Sequence, residues 1–279
     1  MAGFETTLWG KNEALFKTSS TQGPYALGTR WVLEDGRVFR YAKTGAAAIT
    51  IGKTVQAQTI PANLGIDNLC SGVSARTTAQ WDAGTHTVIL ATTASATTSY
   101  HIYANRYNDG YLWVTDQGGE GQLLTVKSHG VSTSSGSTAV TFTIYDEDLL
   151  TVALTTASQY GLLPNLYSNV LTHSVSGAGP CIGVTHIAVG ANKYFWLQTW
   201  GPCPVLSGVK LPIAGDEVCA ICNTGGTTLD GVAGTIYPAG ATQVISTVAK
   251  ANNNTKIGYC LMPAAADADF SLIFLTIAP

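Results

Sequence analysis

The sequence predicts an all-β protein: antiparallel β-sandwich or barrel domains preceded by an extended N-terminal arm and a hairpin. Three observations carry that prediction. Short stretches rich in Val, Ile, Thr and aromatic residues recur between Gly, Pro, Asn and Ser, and no segment sustains the 3.6-residue apolar period of a helix. Thr138 to Tyr145 alternates cleanly, with Val140, Phe142 and Ile144 on one face and Thr141, Thr143 and Tyr145 on the other, as a half-buried strand does. Asp35-Gly36 lies between two apolar-rich runs, a strong hairpin signal.

Taken in order, Met1 to about Thr29 mixes Leu8, Trp9, Leu15 and Phe16 with Thr, Ser, Gly and Pro in no regular period. Such a segment reads as an arm that orders against a neighbour, with a short helix at Asn12 to Lys17 as its one candidate element. The hairpin follows, Arg30 to Glu34 and Arg37 to Tyr41, joined by a two-residue type I′ turn. In that register Glu34 faces Arg37 and Trp31 faces Arg40, giving an ion pair and a cation–π contact. Strands are then expected at Ala48 to Gln58, Thr85 to Thr92, Ser99 to Ala104, Tyr111 to Thr115, Gln122 to Ser128 and Thr138 to Tyr145. Gly161, Pro164, Asn165 and Asn169 break up the stretch from Leu149 to Val170, which reads as a connection. Further strands are expected at Thr185 to Val189, Tyr194 to Thr199, Glu217 to Cys222, Thr242 to Ala249, Lys256 to Met262 and Phe270 to Ile277. The divisions that result are residues 1–45 (arm and hairpin), 46–175 (a β domain with an extended connection) and 176–279 (a C-terminal barrel or sandwich). Tyr111 to Gly118 echoes Tyr194 to Gly201 in the pattern Tyr-apolar-Trp-apolar, three residues, Gly. Two related β units or chance would both produce it, and either way Trp113 and Trp196 read as core.

Charge separates function classes. Only 11% of the residues are charged, against roughly 25% in ordinary soluble proteins, and none falls between Asp148 and Lys193. A net charge of −3 supplies no field for nucleic acid. Residues 1 to 45 hold six bases against four acids, a mildly basic lead that reads first as a solvated arm and second as one suited to an acidic partner surface. The start lacks the pattern of a secretory signal, and no apolar run is long enough to span a bilayer.

Chemical motifs are sparse. Cys219 and Cys222 have a metal-like spacing, but on a strand they face opposite sides, so the six cysteines read as buried reduced thiols. Asp146-Glu147-Asp148 could offer the carboxylate pair of a glycosidase, yet its place at a strand end suits a solvated turn. His86, His101, His129, His173 and His186 are scattered without metal-site spacing. No catalytic, metal or cofactor residue is therefore assigned. Trp81, near a turn, joins Trp9 and Trp200 as candidates for a partner surface.

Ala188 to Gly201, the Ala214-Gly215-Asp216 turn, the Gly-rich stretch to Gly234 and Lys256 to Ala264 resemble small β domains of tailed-bacteriophage virion proteins, especially head decoration (cement) proteins. Gly121 to Ser128, Val140 to Tyr145 and Leu163 to Tyr167 are similar in style, so the resemblance spans most of residues 100 to 279. It implies a non-enzymatic subunit, made in the host cytoplasm, that binds the outside of an assembled capsid and links major capsid proteins, often as a trimer. The expected partner contacts are Trp9, Phe16, Tyr25, Leu163, Tyr167 and Trp200. On this reading, deleting residues 1 to 28 leaves a folded protein that no longer adds to shells. The alternative is a tail-fibre or receptor-binding module for a cell-surface glycan; an enzyme acting on polysaccharide ranks behind both.

Overall fold

The computed structural model describes residues 7–10, 13–58, 68–69, 82–92, 104–131, 138–155, 157–174, 179–208, 210–220, 233–239 and 255–279. Its β content bears out the all-β expectation. The chain divides into two compact units: residues 1–59 with 166–279, and residues 60–165. This regroups the divisions expected at 45 and 175, because the leading strands complete a sheet with the C-terminal ones.

The leading residues supply β1 (Thr7–Trp9), β2 (Arg30–Val32), β3 (Val38–Lys43) and β4 (Thr54–Gln56). The inserted unit contains β5 (Asn68–Leu69), β6 (Thr87–Thr92), β7 (Tyr111–Asp116), β8 (Leu123–His129), β9 (Thr138–Ile144) and β10 (Gln159–Leu163). The remainder contributes β11 (Leu171–Thr172), β12 (Cys181–Val184), β13 (Tyr194–Leu206), β14 (Glu217–Ala220), β15 (Ile236–Pro238), β16 (Lys256–Met262) and β17 (Phe270–Thr276).

In the first unit the order is β1-β2-β3-β13-β17-β16-β14-β15, with β12 pairing both β13 and β4, and β4 pairing β11. Ser207 bridges Ile236 in parallel, so β13, β17, β16, β14 and β15 close on themselves. Val205, Val218, Ile236, Ile257, Ile273 and Leu275 fill the interior with Cys203 and Cys260. Closure is tight: a Cβ on Gly258 would sit 1.9 Å from the Phe274 carbonyl oxygen, so only glycine lets β16 lie this close to β17.

The described part of the leading segment is not a free arm. β1 pairs in parallel with β2, Leu15 is buried, and Ser19 bridges Tyr194. The expected helix is a single 3-10 turn, Glu13–Phe16. Leu15, Trp31, Leu33, Phe39, Tyr41 and Trp196 form an aromatic-rich core, with Tyr25 and Tyr194 packed on it.

The hairpin exists, but with a different turn. Leu33 pairs with Arg37 and Gly36 N–H donates to the Leu33 carbonyl, so the loop has three residues, with positive φ at Gly36 but not at Asp35. The Asp35 carboxylate accepts the Arg37 backbone N–H at 3.1 Å and its Nε–H at 2.8 Å, which favours this longer loop. Trp31 therefore lies opposite Phe39, not Arg40, and Arg37 pairs with Asp35, not Glu34. The one-residue shift gathers Trp31, Phe39 and Tyr41 on one buried face, where the sequence register would have set Arg40 opposite Trp31.

The inserted unit is one sheet in the order β5-β10-β7-β8-β9-β6, and β5 also lies against β6. It curls around a single core that includes Val88, Leu90, Leu112, Val114, Leu124, Val126, Val140, Phe142, Ile144, Tyr160 and Leu162. The alternation read in Thr138 to Tyr145 holds, since Val140, Phe142 and Ile144 are all buried. Residues 159 to 163, read as connection, form β10 instead: it pairs with β7 and buries Tyr160 and Leu162 on either side of Gly161. Similarly β13 does not stop at Thr199 but runs through Pro202 and Pro204 to Leu206. The expected strand at Thr242 to Ala249 and most of that at Ser99 to Ala104 lie outside the described residues.

Candidate interaction surface

The closed part of the first unit turns an apolar, uncharged face outward. Registers place Trp200 beside Thr276, Pro202 beside Phe274 and Tyr259, Pro204 beside Leu272 and Met262, and Leu206 beside Phe270. Alternation explains the exposure: Gly201, Cys203, Val205, Ser271, Ile273 and Leu275 take the inner positions, leaving the intervening residues for the outside. A bulge at the end of β16 turns both Leu261 (47% exposed) and Met262 (65%) outward, beside Phe270 (45%). Trp200 packs its ring edge-on against Phe274 at 5.8 Å, which props both half-buried rings on the surface. Neither β17 nor residues 200–206 carries a charge, and Lys256, at the start of β16, is neutralised by Glu217 at 2.7 Å.

The β13 edge bordering this face is closed to strand addition. Pro202 and Pro204 have no N–H to offer, and they occupy the positions pointing away from β17. The buried Gln198 amide donates to the Trp200 carbonyl at 3.2 Å and to the Pro202 carbonyl at 2.8 Å. Leu206 N–H is taken by the Gly52 carbonyl at 2.9 Å. A partner must therefore meet this surface through side chains and not by extending the sheet.

A second feature sits at the leading segment. Glu13, Leu15, Phe16, Lys17, Leu33, Glu34, Asp35 and Arg37 line an open cleft of about 850 Å³ with an apolar floor. Phe16 is 60% exposed at its rim. His186 holds the 3-10 turn from below: its Nε2–H donates to the Leu15 carbonyl at 2.6 Å, and its ring meets Phe16 and Phe39 edge-on at 5.4 and 5.0 Å. Burial, reinforced by nearby Arg37 and opposed by the bond to Leu15, keeps its pKa below the ordinary value.

The expected contact residues do not converge. Trp9, 73% exposed, ends edge strand β1, and Phe16 stands at the cleft. Tyr25 is absorbed into the aromatic core, 5.4 Å from Trp196 and 5.6 Å from Tyr41. Tyr167 packs on the bare Cα of Gly28 while its carbonyl accepts the Lys43 N–H. Leu163 belongs to the inserted unit, opposite Tyr111 on the outer side of β10. Trp200 alone falls on the apolar face; Trp81 lies outside the described residues. Sequence reasoning missed Leu261, Met262, Phe270, Leu272 and Phe274 because each sits in an apolar strand indistinguishable from core until the register is known.

The chemistry-bearing residues are engaged structurally. Asp148 accepts the Thr125 N–H at 2.8 Å, while Asp146 stands 3.9 Å from His86 at the surface. His129 accepts the Tyr107 N–H on Nε2 and donates from Nδ1 to the Gly130 carbonyl, fixing its tautomer. Cys181, Cys203, Cys219 and Cys260 are buried, and burial pushes Cys203 up to about 12, which suppresses its thiolate. Cys222, the other half of the Cys-x-x-Cys pair, lies outside the described residues. Among the described residues no group of three His, Cys, Asp or Glu is placed to hold a metal ion.

No family model matches this chain, and no curated protein or solved structure matches it.

Proposed function

We propose that this chain is a non-enzymatic assembly subunit, a bacteriophage virion protein that decorates an assembled head and ties neighbouring capsid proteins together. The observation that supports the assembly role is the uncharged outer face of β13, β17 and β16. A contiguous exposed apolar face marks an interaction site, and burying the β13 and β17 part of this one desolvates no charged side chain of those strands, the Lys256–Glu217 pair lying at the start of β16. The phage assignment comes from the sequence resemblance, and the partner it implies is the major capsid protein, with further copies of this chain beside it.

Co-sedimentation with intact and expanded phage heads tests both parts. Saturable binding at a fixed ratio to the shell protein is expected, and its loss in a Phe270→Glu/Met262→Glu double variant whose circular dichroism is unchanged places the contact on this face. Wild-type protein that never pellets with heads removes the decoration role and favours the glycan-binding module. Full binding by the double variant moves the contact elsewhere. Deleting residues 1 to 28, the probe suggested by sequence, is unsuitable because it strips Leu15 and Tyr25 from the aromatic core.

A further inference from the structure

The segment between β1 and β2 is held at two outer points and one inner one. On the early side Gly10 N–H donates to the Val32 carbonyl at 3.1 Å and the Gly10 carbonyl accepts Trp31 Nε1–H at 2.8 Å. On the late side Ser19 and Tyr194 exchange backbone bonds of 3.0 and 2.8 Å. Between them, the 3-10 turn rests on Leu15, inserted among Trp31, Leu33, Phe39, Tyr41 and Trp196, and on the His186 bond to the Leu15 carbonyl. Because a carbonyl can only accept, His186 carries its neutral-state proton on Nε2, which leaves Nδ1 as the bare nitrogen. That Nδ1 is buried and has no hydrogen-bond partner among the described residues.

We propose that His186 is a proton-operated latch, holding the Glu13–Phe16 turn on the sheet when neutral and releasing it when protonated, so that acid opens the floor of the adjoining cleft. A proton on Nδ1 would create a buried N–H with no acceptor and set a positive charge near Arg37. The charged groups on the surrounding elements do not offset this. On the hairpin, Arg37 is repulsive, Asp35 is committed to it at 2.8 Å and Glu34 is exposed to solvent at the cleft; on the turn, Glu13 and Lys17 pair with each other at the surface at 3.5 Å. The neighbours from β3 and β13 in the core, Phe39, Tyr41 and Trp196, carry no charge. In the released state the ring regains water and titrates at its ordinary value of 6.5. The docked pKa is lower, so docking is fully favoured above 6.5 and weakens as pH falls from there to the docked value. Across that window the released fraction rises by up to about tenfold per pH unit, one proton being taken up on release. The latch is independent of what the chain assembles with.

Nuclear magnetic resonance between pH 5 and 8 tests it, following the His186 ring carbons together with the Leu15 methyl and Phe16 ring signals. The expected result is one shared transition below pH 6.5 in the wild type and none in His186→Gln, whose amide can still donate to Leu15 but does not titrate. Leu15 and Phe16 signals that stay fixed while His186 titrates would overturn the latch, as would the same acid transition in the Gln variant. Should that variant fail to dock at any pH, Arg37→Gln decides. Removing the neighbouring charge makes the docked ring easier to protonate, so its titration must move upward while the acid-driven release of the turn shrinks, and a release left undiminished overturns the proposal.

Discussion

Tyr111 to Gly118 and Tyr194 to Gly201 share one sequence pattern and live in different surroundings. In β7 the two faces are unequal: Leu112 and Val114 are buried, Tyr111 is exposed and Trp113 is half-exposed, so the expectation that Trp113 is core fails. In the first half of β13 both faces are covered. Phe195 and Leu197 enter one core while Trp196 enters another, its ring meeting Trp31 edge-on at 4.8 Å. Over Trp196 the cover comes from the leading segment and hairpin, and over Phe195 and Leu197 from Ile49, Val55, Val170, Ile182 and Val189, none of which a local feature of the pattern announces. The second half of the same strand alternates between buried and open positions from Trp200 to Leu206, and this is where the uncharged outer face lies. A strand's apolar content therefore does not tell how many layers lie over it; the chain's other segments do.

Substitution of the two tryptophans sharpens the comparison most. Trp196→Ala is expected to cost about 3–5 kcal/mol, the range for removing a large buried aromatic, whereas Trp113→Thr should cost about 1 kcal/mol because part of its surface already meets water. Urea unfolding followed by circular dichroism measures both, and equal losses would mean that the two strands are covered alike. Gly258→Ala comes next, at up to about 3 kcal/mol, since the added methyl meets backbone and not a side chain that can turn aside. Gln198→Leu is smaller, about 1–2 kcal/mol, by leaving the Trp200 and Pro202 carbonyls without their donor; thermal unfolding monitored beside the wild type reads it. Smallest in stability is Met262→Glu, expected within about 0.5 kcal/mol as an exposed change, though it should weaken any association that uses the apolar face.

Much of the strand content was legible because period-2 alternation is a local property: β8, β9, β16 and β17 fall within a residue or two of their expected bounds. The misses share a cause. Gly161 and the prolines at 202 and 204 are usual breakers, but each is tolerated here by its position, Gly161 between two buried residues and the prolines on an edge that needs no N–H. The hairpin slipped because Asp35 can serve either as a turn residue with positive φ or as a side-chain acceptor, and only the second also buries Phe39 and Tyr41 beside Trp31. Of the surface, only Trp200 was anticipated, since which face of β13, β17 and β16 points outward depends on barrel closure between Ser207 and Ile236. His186 carried no sequence signal, because its partner Leu15 is 171 residues away.

The two prolines and the Gln198 amide along β13 bear on the time before any partner is met. A subunit that displays a bare apolar face in a crowded cell risks piling onto its own copies, and the most damaging form of that is sheet-to-sheet growth into filaments, which proceeds through open strand edges. Here the edge next to the sticky face is the one without free donors. Contacts between copies at this place are thereby restricted to side-chain packing, which on the proposed assembly role keeps unassembled copies from joining sheet to sheet. Replacing Pro202 and Pro204 with Val restores two N–H groups on this edge and is expected to raise sheet-to-sheet association, read as fibre formation by dye fluorescence.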